Sequence, residues 1–104
     1  METTNIIKDS LKEELDRNRR AQHAYLAEHS QLPRGSVTNR KRGDRTYTYL
    51  KYREGDKVRT DYVGIAEQVE SEIREQVDQR KELEAAIQRL KHEERFIKKA
   101  LRHS

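Results

Sequence analysis

The sequence predicts an α+β fold: two long antiparallel helices, paired as a helical hairpin or coiled coil, with a three-stranded antiparallel β-meander inserted between them. Three observations predict it. Residues 3–30 and 65–104 contain no Gly or Pro and carry apolar residues at helical spacing. The stretch between them, from Arg34 to Tyr62, is rich in strand formers and is punctuated by Gly43-Asp44 and Gly55-Asp56. Hydrophobic residues make up 32% of the 104, too few for a large core, while 40% are charged with both signs abundant, the composition of long solvated helices. The chain is read as a single domain, residues 1–104, with a helix over about 4–31, the meander over about 35–63 and a long helix over about 65–102.

In the first helix Ile7, Leu11, Leu15, Gln22 and Leu26 form the inward stripe. Asn18, Arg19 and Arg20 interrupt it, so the middle of this helix is expected to pack loosely. Leu32-Pro33 ends the helix by Gln31, because proline cannot continue it and pushes its predecessor to extended geometry.

Within the meander, side chains alternate between two faces, and a slip of one residue exchanges the faces. A two-residue Gly43-Asp44 turn sets Val37 beside Leu50. For the second hairpin the apolar groups collect on one side if Arg53 lies opposite Lys57 across a three-residue Glu54-Gly55-Asp56 loop. Tyr52 then faces Val58, Leu50 faces Thr60 and Thr48 faces Tyr62. A two-residue loop sets Tyr52 against Arg59 and Leu50 against Asp61 instead. With the first register the outer face carries Arg40, Arg42, Arg45, Lys51, Arg53, Lys57 and Arg59 with Tyr47 and Tyr49 among them, opposed only by Asp61.

Gly64 releases the chain into the second helix. Glu67, Glu70 and Glu72 near its start and Lys98, Lys99 and Arg102 near its end complement the helix dipole. From Leu83 the inward positions Ile87, Leu90, Glu94, Ile97 and Leu101 alternate steps of four and three, a heptad seam for a helical partner. The last turns, with Phe96, Ile97 and Leu101, are expected to extend past the first helix. They invite a homodimer through the C-terminal helix, or docking of another protein on the same seam.

The charge points to function. Residues 34–64 hold nine basic and four acidic side chains, a net of +5, whereas residues 1–33 sum to −1 and residues 65–104 to zero. The whole excess of +4 therefore sits in the sheet. A localised basic patch is the footprint of a polyanion binder, with Arg and Lys on phosphates and Tyr47 and Tyr49 adding stacking or hydrogen bonds. The competing readings are a solvated face whose cations keep strand edges apart, and a docking surface for an acidic protein.

Other chemistries find little support. The chain has no Cys, so disulfides, cysteine metal sites and thiol nucleophiles are excluded. His23, His29, His92 and His103 lack metal-ligand spacing, and the carboxylates lie on charged helix faces with little core to wall a catalytic site. No catalytic residue, metal or cofactor is assigned. No apolar run suits a membrane span or a signal peptide, so a cytoplasmic protein without membrane association is expected.

The run Leu32-Pro33-Arg34-Gly35-Ser36, then Tyr47-Thr48-Tyr49-Leu50-Lys51-Tyr52-Arg53-Glu54-Gly55-Asp56-Lys57-Val58, closing on Tyr62-Val63-Gly64, resembles a family of small uncharacterised prokaryotic and phage proteins. That family has an LPxGS motif, a YxYxxYREGxKV hairpin, a YVG exit and a charged C-terminal helix. The likeness covers about residues 32–90 and implies no activity. The hairpin is also similar, more weakly, to the arm-binding modules of phage integrases and the amino-terminal hairpins of some transposases. This implies a mobile-element setting and favours DNA over RNA.

The sequence thus points first to a non-enzymatic nucleic-acid-binding module. The alternative is a small phage- or mobile-element-encoded inhibitor, of the anti-CRISPR kind, that binds a host nucleoprotein enzyme through its sheet and coiled-coil surfaces. A plain oligomerising scaffold is a third reading.

Overall fold

The computed structural model describes residues 2–103, with side chains from residue 6 onward. Two helices have a three-stranded antiparallel sheet between them in sequence. The order is α1 (Glu2–His29), β1 (Ser36–Arg42), β2 (Arg45–Glu54), β3 (Lys57–Ile65) and α2 (Ala66–Arg102). The sheet is a meander with strand order β1-β2-β3. It extends through Gly64 and Ile65, so the helix begins one residue later than expected. No helix among the described residues is long and apolar enough to cross a membrane. The chain divides into two compact units, Ser30–Glu82 and the residues up to His29 with those from Leu83 onward, and α2 contributes to both.

In the sheet-containing unit both hairpins close on two-residue Gly-Asp loops: Arg42 pairs with Arg45, and Glu54 with Lys57. Gly43 and Gly55 have φ of 61° and 62°, while no described non-glycine residue has positive φ. Positive φ at the first loop position alone is the II′ pattern, which requires Gly there and matches the twist of the flanking strands. The first hairpin has the expected register, with Val37 opposite Leu50.

The second hairpin does not. Arg53 pairs with Val58, Tyr52 with Arg59 and Leu50 with Asp61, one residue away from the three-residue-loop register. Turn chemistry overrides apolar sorting here because β3 is an edge strand whose Val58 and Tyr62 remain exposed, at 56% and 58%. A bulge follows: Tyr49 pairs with Tyr62 and Thr48 with Gly64, leaving Val63 as the extra residue and reversing the parity of the last two positions of β3.

The inner face of the sheet packs on the first half of α2, where Ile73 and Val77 are buried. Thr48, with no exposed surface, donates its hydroxyl to Asn39 Oδ1 at 2.8 Å, and Asn39 Nδ2 donates to Glu70 Oε1 at 2.8 Å. A Cβ on Gly64 would stand 2.9 Å from Val69 Cγ1, so the strand needs glycine where the helix crosses closest. The LPxGS segment is fixed at each step. Arg80 Nη1 donates to the Leu32 carbonyl at 2.7 Å, and Arg34 lies 5.0 Å over the Tyr52 ring. Gly35 has φ of 110°, and a Cβ there would fall on the Lys51 carbonyl oxygen.

In the helical unit Ile87 and Ile97 are buried, and Leu11, Leu15, Leu83, Leu90 and Leu101 are half-buried. Asn18, expected to weaken the middle of α1, is instead 3% exposed. Its Nδ2 donates to the Leu90 carbonyl at 2.9 Å, and its Oδ1 accepts from Gln22 Nε2 at 2.7 Å. Gln22 Nε2 and Arg19 Nε both reach Glu94, at 3.2 and 3.0 Å. The polar break in α1 thus meets the polar break in the α2 seam, satisfying groups that burial alone would penalise. Further along, His29 Nε2 lies 2.9 Å from Glu84 Oε1.

Candidate functional site

The outer face of the sheet follows from the pairings as five rows. Arg42 and Arg45 form one end, and Arg53 with Val58 the other. Between them lie Arg40, Tyr47 and Ile65, then Thr38, Tyr49 and Tyr62, then Ser36, Lys51 and Thr60. Eight strand steps separate Arg45 from Arg53, roughly 27 Å. No Asp or Glu occupies any of these strand positions, and Asp44 and Asp56 sit in the turns.

The centre of this face is aromatic. The Tyr62 ring lies 6.2 Å from Tyr47 and 5.5 Å from Tyr49, centroid to centroid and tilted against both. Arg40 sits 5.0 Å over the Tyr49 ring. Tilted rings at these separations are favourable, and a guanidinium over a ring holds its charge without an acidic partner.

Seven of the nine expected binding residues are therefore together: Arg40, Arg42, Arg45, Tyr47, Tyr49, Lys51 and Arg53. Lys57 and Arg59 are not. The two-residue turn places them on the inner face, where Lys57 pairs with Glu54, and Arg59 Nε lies 3.5 Å from Glu54 Oε2. Asp61 moves with them and accepts from Tyr52 Oη at 2.8 Å, a hydrogen bond that is the main cause raising the Tyr52 phenol above its ordinary value. The exchange brings Val58, Thr60 and Tyr62 to the outer face in their place. The signal for it is present in the sequence: Gly55-Asp56 repeats Gly43-Asp44, and the same dipeptide closes the same loop.

The expected helix-partner seam of Leu83, Ile87, Leu90, Ile97 and Leu101 does lie on one side of α2, but it is covered within the chain. Ile97, expected to stand clear of α1, is 8% exposed: the antiparallel register that sets Asn18 on Leu90 and Arg19 on Glu94 leaves α1 residues before Asn18 alongside it. Phe96 points elsewhere, 63% exposed, with its ring 5.1 Å from His92 edge to face.

No curated protein and no solved structure matches this chain. A family model described as a domain of unknown function (DUF6788) matches residues 7–75, so the shared part takes in most of α1, the whole meander and the beginning of α2; it starts earlier than the LPxGS-to-hairpin likeness over about residues 32–90 and ends before it. With well over half of its residues inside that match, the chain belongs to the DUF6788 family.

Proposed function

We propose that this protein is a non-enzymatic nucleic-acid-binding module of a mobile-element or phage setting, which docks the outer face of its meander on the phosphate backbone. The observation that carries the reading is the row order itself. Arg40, Arg42, Arg45, Lys51 and Arg53 share one face with no carboxylate among the strand positions. Five cations on one face of the sheet create a potential that attracts a polyanion and repels like charge. In this reading α1 and α2 pair as an antiparallel coiled coil that stiffens the module, and the Asn18–Glu94 polar layer sets its register.

Salt tests the mechanism. Neutralising about five phosphates gives a slope of log K against log[salt] near −4.5 on duplex DNA and near −3.5 on a single strand. Binding measured by fluorescence anisotropy across a salt series should fall in that range. An affinity for oligonucleotides that hardly changes with salt refutes phosphate docking and leaves the protein-inhibitor reading, in which exposed Phe96 is a contact.

A further inference from the structure

We infer that the outer face selects single-stranded nucleic acid over duplex, with Tyr62 as the principal stacking platform for an unpaired base. This rests on the nucleic-acid reading above and names the form of the polymer.

The face is not uniformly basic. Its cations are gathered toward the two ends of the strands, and the middle is a cluster of tyrosines. Tyr62 is 58% exposed although its ring lies beside both Tyr47 and Tyr49, so those neighbours support it and still leave most of it to solvent. Val58, also on this face, is 56% exposed. A duplex offers such a surface phosphates, sugars and groove edges, but its base faces are stacked on one another and closed to a tyrosine ring. An unpaired strand offers every base as a π-face while keeping its phosphates for the flanking cations, the combination used by sequence-tolerant single-strand binders. The bulge at Val63 gives Tyr62 this place, since it lets β3 turn Tyr62 outward and still present Gly64 to α2.

The experiment compares a thymidine 20-mer with the same strand annealed to its complement, both labelled and titrated with wild-type protein, Tyr62→Ala and Tyr62→Phe at one salt concentration. The expected result is tighter binding of the single strand. Tyr62→Ala should weaken single-strand binding roughly 5- to 150-fold, the loss of one stacked base. Tyr62→Phe, which keeps the ring, should restore it, and duplex affinity should be the same for all three proteins. Duplex binding equal to or tighter than single-strand binding overturns the inference and leaves phosphate docking standing, as does an equal response of both ligands to Tyr62→Ala. Failure of the wild type to bind either ligand overturns both readings.

Discussion

Thr48 and Asn39, directly paired across β2 and β1, are joined a second time by their side chains: the Thr48 hydroxyl donates to Asn39 Oδ1 at 2.8 Å. The amide of Asn39 then donates to Glu70, which also accepts from Arg74 Nε at 3.0 Å. A fully buried strand hydroxyl is thereby connected through one side chain to α2. Thr48→Val keeps the shape and the β-branch but removes the donor, leaving Asn39 Oδ1 without it. The variant should lose about 1 kcal/mol, the net value of one such bond. Urea unfolding checks this, and a midpoint equal to wild type rules the bond out as a contributor.

Gly35 and Gly43 both have positive φ, yet they should respond differently to alanine. At Gly43 the added methyl meets nothing within 4 Å, so only the backbone strain remains, about 1–2 kcal/mol. At Gly35 the same kind of strain is joined by collision with the Lys51 carbonyl, a backbone atom that cannot rotate away. Gly35→Ala should therefore lower the melting temperature clearly more than Gly43→Ala. Equal shifts in differential scanning fluorimetry would contradict the close approach.

Acid should loosen the helical unit through Glu94. The hydrogen bond from Arg19, followed by that from Gln22, holds its carboxyl below the ordinary value of 4.5. A folded value below the unfolded one means that the stabilisation is fully present above 4.5 and is lost as pH falls through the depressed folded value. Glu70, lowered by Asn39 and then by Arg74, acts with the same sign. The melting temperature of wild type should fall as pH drops below this point. Glu94→Gln should fall less steeply over the same window, with Glu70 keeping some of the slope; parallel curves would remove Glu94 from the account.

Charge reversal separates the two faces. Arg42→Glu with Arg53→Glu places acids at both ends of the outer face and should weaken oligonucleotide binding at least about 100-fold, given roughly 1.5–3 kcal/mol for each charge-assisted hydrogen bond removed. Lys57→Glu with Arg59→Glu changes net charge by the same amount on the other face and should cost far less. Equal losses from the two double variants would mean that net charge, rather than the face, governs binding.

Much of the architecture is legible in the residues alone. The Gly and Pro punctuation places all five elements, and the first hairpin register follows because turn length and apolar sorting agree at Val37 and Leu50. At the second hairpin those two criteria conflict, and sorting is the wrong guide. It favours hiding Val58 and Tyr62, which an edge strand leaves in the open, while the Gly-Asp loop demands the other register. The inward placement of Asn18 escapes a linear reading for a related reason. Along one helix it looks like a break in the stripe, and only the facing Leu90 carbonyl, with Gln22 one turn along, makes it a fitting core residue. A bulge leaves no compositional mark, so Val63 cannot be identified from its neighbours.

That one supernumerary residue governs what the sheet is able to do. With Val63 drawn into the ladder instead of bulged, β3 would return to strict alternation, Tyr62 and Gly64 would fall two positions apart on one face, and the strand would have to choose. Either Gly64 would keep its berth beside Val69 and the tyrosine before it would swing inward, or the ring trio would survive and the helix would lose its landing place. Both hemispheres of the ribbon, one for holding and one for meeting, depend on a single added step in the chain.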